Sequence, residues 1–217
     1  MARENHPRSR RARHLARKQG QRPPHDRILI ICEGQKTERL YLDAIRQQYS
    51  IPSSRVKVLP SDLGTEPSQV VHFAKNKFLE TRAYEWVFAV FDRDDHRTYH
   101  DALNHAAALD RQQKNDGGNK IRFVAVPSVP CFELWLLLHF EDVQAFSHRT
   151  EMVKRLKQHI PNYRKGSPGI FALTEPNLDV AIERARHLRR RFNPREATNP
   201  FTGMDELVVR LRDMQRP

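Results

Sequence analysis

The chain has 217 residues, 38% hydrophobic and 29% charged, with a formal net charge of +12. That length allows one ordinary domain with additions or two small ones, with enough apolar material for a real core. No apolar run approaches the ~20 residues of a membrane span, and no apolar stretch follows the arginine-rich start as a secretory signal requires.

The two cysteines, Cys32 and Cys131, form no CxxC pair and read as buried small hydrophobes in a reducing cytoplasm. The charge is uneven. Residues 1–27 hold nine Lys/Arg against Glu4 and Asp26, a net of +7. An excess of this size points to an anionic partner, nucleic acid first, with solubility alone as the plain alternative.

Residues 1–25 lack apolar periodicity and run into Pro23-Pro24, which predicts a disordered basic arm. A strand follows at about Arg27–Cys32. Its run Ile28-Leu29-Ile30-Ile31 is too short for a core helix and reads as buried on both faces. Glu33 then stands at the strand's carboxyl end, with Gly34 expected to let the backbone turn. A helix is predicted over about 36–49, with Leu40, Tyr41, Ala44 and Ile45 inward and Glu38 suited to its first turn. Val56–Leu59 is a second strand closed by Pro60. Pro67 opens a second helix that turns Val71, Ala74 and Phe78 inward.

The third strand is Glu85–Phe91, followed directly by Asp92-Arg93-Asp94-Asp95. A third helix runs from about His100 to Gln113 with Leu103, Ala106 and Ala107 inward, ended by Gly117-Gly118. Ile121–Val126 is a fourth strand closed by Pro127. Strands alternating with helices predict an α/β fold, a mostly parallel sheet with helices on both faces. Past Pro130 the pattern changes. Cys131–Phe140 reads as a buried helix, and Thr150–Ile160 as a short helix with Val153 and Leu156 inward. Asn162–Gly169 is a loop. Leu178, Ile182, Ala185, Leu188 and Phe192 mark an amphipathic helix, and Thr202 caps a last helix through Leu207, Val208 and Leu211. The expected division is a core at about 26–140 and a helical extension at about 141–217.

Two lookalike motifs fail. Gly34-Gln35-Lys36-Thr37 lacks the Gly-Lys-Thr run of a phosphate loop. A calcium loop starting at Asp92 would need glycine at Arg97 and glutamate at Leu103. The acidic groups themselves remain. If the first and third strands are parallel neighbours, Glu33, Asp92 and Asp94 meet at the edge where open parallel sheets bind ligands. In a continuing extended backbone, Asp92 and Asp94 project to the same side.

Crowded carboxylates repel unless a cation holds them. They suit a hard ion such as Mg2+, with Mn2+ as an alternative, and Glu33 serves as ligand or as general base or acid. The plain alternative is an ordinary solvated turn. Glu133, inside an apolar segment, is a further candidate ligand or a structural ion-pair member. Lys36 and Lys165 are candidate phosphate contacts. The irregular spacing of His96, His100 and His105 argues against zinc.

Cys32-Glu33-Gly34-Gln35-Lys36-Thr37-Glu38, Phe91-Asp92-Arg93-Asp94-Asp95 and the segment from Pro130-Cys131-Phe132-Glu133 to His139-Phe140 together resemble the RloB-like proteins. Tyr163-Arg164-Lys165-Gly166 and Asn199-Pro200-Phe201-Thr202 add to the resemblance, which covers about residues 26–212. That family is similar to Toprim domains. The resemblance therefore implies a Rossmann-like sheet with a catalytic Glu after the first strand and an Asp-x-Asp after a later one, matched here by Glu33, Asp92 and Asp94. On the same footing Asp95 and Glu133 join the candidate metal ligands, and Arg93 joins Lys36 and Lys165 as a substrate contact.

The implied function is a Mg2+-dependent nuclease in prokaryotic anti-phage defence, acting on RNA (tRNA included) or DNA with water as nucleophile. An ABC- or AAA-type ATPase is the implied partner, and a homo-oligomer is compatible. The competing class is a non-catalytic nucleic-acid-binding or regulatory subunit. One departure stands out: the family commonly has Ser-Asn-Pro where this chain has Ser128-Val129-Pro130.

Overall fold

The computed structural model describes residues 26–196 and 199–215, so the expected basic arm lies outside it. Among the described residues, five strands form one sheet in the order β2-β1-β3-β4-β5. These are β1 (Ile28–Cys32), β2 (Val56–Pro60), β3 (Trp86–Asp92), β4 (Arg122–Val129) and β5 (Phe201–Thr202). The first four are mutually parallel, and β5 is antiparallel to β4. The fold is α/β, as expected. All five residues of β1 are buried, which is why that strand is apolar throughout rather than alternating.

Alternate strand residues feed two apolar clusters. Ile28, Ile30, Cys32, Phe88 and Val90 face α1 (Thr37–Gln48), α4 (Glu133–Leu137) and the later helices. Leu29, Ile31, Val87, Ala89 and Phe91 face α2 (Pro67–Thr81) and α3 (Tyr99–Leu109). The later helices are α5 (Arg149–His159), α6 (Ile170–Thr174), α7 (Leu178–Arg191) and α8 (Met204–Asp213). No helix among the described residues is long and apolar enough to cross a membrane.

Several expectations need correction. Pro127 does not close β4; the strand runs through it to Val129. The Ser128 carbonyl accepts the Arg93 N–H on the β3 side, whereas the Pro127 carbonyl accepts Gly203 N–H on the other. The hydrogen missing from Pro127 thus faces the side where β5 is only two residues long. The inward stripe of α1 is Glu38, Tyr41, Leu42 and Ile45 rather than one through Leu40 and Ala44. In α3 Ala102 is buried and Ala107 exposed, and the helix ends at Leu109, before the glycines. In α5 Met152, not Val153, is fully buried beside Leu156. The short helix α6 and strand β5 were not foreseen.

Cys131–Phe140 does form a buried helical segment around α4, and both cysteines are buried and free. The N-cap of α8 is Gly203 rather than Thr202, although Thr202 Oγ1 one residue earlier accepts the Met204 N–H at 3.3 Å. The part beyond residue 140 is helical as expected, and β5 also returns it to the sheet.

Ile30 sits in the middle of β1, fully buried, between Val58 of β2 and Phe88 of β3. Ile30→Ala leaves a cavity in a close-packed layer and should cost ~2–5 kcal/mol. Chemical denaturation would read this as a lower midpoint with an unchanged slope.

Candidate active site

The parallel register of β1 and β3 pairs Cys32 with Val90, and the Glu33 N–H continues the ladder to the Val90 carbonyl at 2.9 Å. The next residue pair is therefore Glu33 with Phe91, one residue short of Asp92. Glu33 Oε2 accepts the Asp92 N–H at 2.7 Å, which fixes the side chain across the strand ends. Asp92 is the last residue of β3 and is buried.

The backbone does not stay extended beyond it, as the same-side argument for Asp92 and Asp94 assumed. Asp94 adopts φ +37, and His96 N–H closes a turn on the Arg93 carbonyl. The β4 end clamps this turn: Arg93 N–H reaches the Ser128 carbonyl at 2.9 Å, and Asp94 N–H reaches the Pro130 carbonyl at 3.1 Å. Aspartate is among the few side chains that tolerate such a positive φ.

This turn brings Asp94 and His96 onto Glu33. One donor atom from each of the three lies within 4.8 Å of the other two. Asp92 lies beneath them and feels the charges of Glu38, Glu33, Glu133 and Asp94. Asp95 is exposed and lines the adjoining cleft rather than joining the three-residue set. Of the other histidines, His100 is exposed and His105 packs against His72.

Glu133 is 1% exposed. Its Oε1 accepts Tyr163 OH at 3.1 Å and lies 3.7 Å from Lys165 Nζ, while Oε2 is buried with no hydrogen-bond partner. Lys36 is exposed, and its stem packs where a Cβ on Gly166 would come within 2.8 Å. Arg93 supplies the clamped backbone N–H and also lines the cleft. Val129 is fully buried in the apolar cluster under α2 and α3, so the departure from Ser-Asn-Pro puts a core side chain at that position.

Two participants escaped the sequence reading. Glu38 is buried, with its carboxyl folded back over Gly34 so closely that a Cβ there would overlap Glu38 Oε2. Gly34 is absent from the positive-φ glycines, so its service is room for this carboxyl rather than a left-handed turn. A signal was present: Glu38 precedes Tyr41, Leu42 and Ile45 by three, four and seven residues, which places it on the buried stripe. Arg149 had no such signal. It is the first residue of α5, and its Nη1 pairs with Asp94 Oδ2.

Burial dominates the electrostatics. Desolvation raises the Glu33 carboxyl to about 7, against the pull of the Asp92 N–H, with Glu38 and Asp94 adding repulsion. Asp92 is pushed well above the carboxylate range by burial and by its acidic neighbours. Glu38 and Asp94 rise for the same first reason, and for Asp94 the nearby Arg149 and Lys165 oppose the rise.

The set fits a cation. It offers two carboxylates and an imidazole within the ~4–5 Å that donors to one ion span, more acid groups behind them, and an orphan carboxylate oxygen on Glu133.

The model of the family described as RloB-like protein matches residues 28–211. No curated protein and no solved structure matches the chain.

The raised carboxyls fix the sign of a pH effect. Glu33 moves from an ordinary value of 4.5 to about 7, so in metal-free protein its protonated form favours the fold. That contribution is complete below about 4.5 and is lost as pH rises through about 7. Asp92 and Glu38 act in the same direction. Glu33→Gln cannot ionise, and in a chelator at pH 8 it should be more stable than wild type by on the order of 2 kcal/mol. The two proteins should converge near pH 5, and parallel thermal melts across that range check this.

The match over residues 28–211, across all the motifs that build this carboxylate edge, places the chain in the RloB-like family.

Proposed function

We propose that the chain is a metal-dependent nuclease, hydrolysing phosphodiester bonds of RNA or DNA as an effector of prokaryotic anti-phage defence. The observation that carries this reading is the convergence of Glu33, Asp94 and His96 donor atoms within 4.8 Å, backed by buried Asp92, Glu38 and Glu133 and bordered by Arg149 and Lys165. Glu33, Asp94 and His96 would hold the ion. Mg2+ suits the carboxylates, and the His96 imidazole tilts the choice toward Mn2+. When bound, such an ion neutralises developing negative charge and lowers the pKa of water.

The chain's own groups supply the rest. Glu33 can take a proton from the attacking water as the new P–O bond forms and the P–O bond to the departing oxygen breaks, with the departing oxygen protonated by a second water. Arg149 and Lys165 supply positive charge for the phosphate. The edge of the sheet and the clamped turn at Asp94 hold the reacting groups in place. The similarity of the family to Toprim domains and its association with restriction loci support the substrate class and the defence setting. The net charge of +12 supports a polyanionic partner. An ATPase partner, as in related loci, belongs to the same proposal.

One observation favours the competing reading of a non-catalytic binding subunit. Arg149 already pairs with Asp94, as it would if the protein rather than an ion neutralised the cluster. Arg149→Ala separates the two. It should lower the melting temperature in chelator under either reading, and added Mn2+ or Mg2+ should restore it only if the cluster binds metal. Purified wild type should then cleave labelled RNA or DNA only with metal, and Glu33→Gln should lose ~100- to ~10,000-fold in rate while still binding. Absence of metal rescue together with absence of cleavage would reject the nuclease reading.

A further inference from the structure

A cleft of about 770 Å3 opens beside the carboxylate set and shares Asp94, His96 and Arg149 with it. That volume falls within the ~300–1,000 Å3 of sites that enclose a small-molecule-sized group. The cleft is also lined by Phe146, which is 62% exposed. A phenyl ring left largely in water forgoes part of the gain of burial, and here it stands among side chains that are mostly polar.

The segment that carries the ring is anchored on both sides. Asn199 Nδ2 donates to the Ser147 carbonyl at 2.8 Å, and Ser147 N–H reaches back to Asn199 Oδ1 at 3.4 Å. On the other flank Arg191 Nη1 donates to Gln144 Oε1 at 2.6 Å. His148 forms a T-shaped pair with the ring, with centroids 5.0 Å apart and planes at 89°, and the ring stays 62% exposed beside it. Arg149, three residues on, carries a cation from this same segment to Asp94.

An aromatic face beside cations in an open cleft is the combination that binds unpaired bases. Bases stack on the ring while the backbone follows the positive charge. A duplex hides its base faces, so it cannot use such a ring without unstacking. We propose that Phe146 is the stacking platform for an unpaired base, and that the cleft selects single-stranded nucleic acid and leads its backbone past Arg149 to the carboxylate set. This rests on the nuclease reading of that set for what happens to the strand, though not for the binding itself.

The test uses the full-length chain in chelator, with fluorescence anisotropy on labelled single-stranded RNA, single-stranded DNA and blunt duplexes of each. Phe146→Ala should weaken single-strand binding by ~5- to ~150-fold, the loss of one base–aromatic stack, and leave duplex binding and the melting temperature unchanged. Phe146→Trp should retain binding, and its added emission should be quenched when a single strand binds. Comparison of the RNA and DNA arms shows which strand the cleft prefers.

Equal affinity of wild type and Phe146→Ala for single strands would overturn the proposal, as would an equal loss on single strands and duplexes or an unquenched Phe146→Trp. Single-strand binding that depends on Phe146 without any metal-dependent cleavage would leave the platform standing and reject the nuclease reading. Cleavage indifferent to Phe146 together with unchanged binding would do the reverse.

Discussion

Mutual repulsion of buried carboxyls at the carboxyl ends of β1 and β3 is the constraint on which the rest of this structure depends. Glu33, Glu38, Asp92, Asp94 and Glu133 converge there, and burial raises Glu33, Glu38, Asp92 and Asp94. Left to itself, such a cluster would push its own loops apart. It stays together because each sequence motif braces another. Glu33 in the first motif accepts the Asp92 N–H of the second, and the carbonyls of Ser128 and Pro130 in and beside the third clamp Arg93 and Asp94. The Tyr163–Gly166 loop holds Glu133 through Tyr163 and Lys165, and donates its Gly166 N–H to Thr37 at 2.9 Å. Motifs scattered over more than a hundred residues thus form one mechanical unit.

The sheet makes that bracing affordable. Parallel strands buried on both faces supply two large apolar clusters, one under α2 and α3 and one under the remaining helices. Their burial fixes the register of β1 against β3, and a one-residue slip would turn every inward side chain to the wrong cluster. The register in turn sets Glu33 opposite Phe91, one residue before the end of β3. The placement of the acids is therefore a consequence of core packing some distance away, and the strain of the turn at Asp94 rests on the same foundation.

This explains what could be read from the sequence. Apolar runs ending in an acid announced β1 and β3, their parallel pairing and the meeting of Glu33 with Asp92. Those features depend on local composition and period. The turn at Asp94 was illegible because the carbonyls of Ser128 and Pro130, more than thirty residues away, impose it. Hence His96, not Asp95, meets Glu33 and Asp94. Arg149 was hidden because it reaches the site from a helix in the C-terminal part. Strand β5 was hidden because two residues carry no period. Glu38 was legible in principle: an acid on the apolar stripe of a helix is a polar group that folding has paired with something.

The cations show how the cluster is organised. Arg149 and Lys165 each touch one acid, at Asp94 and at Glu133, and Arg149 lines the cleft. Neither is fully buried, with side chains 39% and 53% exposed, whereas Glu133 and Asp92 are almost wholly enclosed. Exposed partners in high dielectric repay little of the cost of burying a charge. The acid groups therefore lie deep and the cations lie nearer solvent. Under the proposed function an anionic chain entering from solvent would meet Arg149 first, and repulsion from the acids would keep its phosphates at the rim unless a further cation intervened. Under the same proposal this arrangement would couple entry of the polyanion to occupancy by metal: each would relieve a charge imbalance that the other leaves, which is the thermodynamic condition for reciprocal binding.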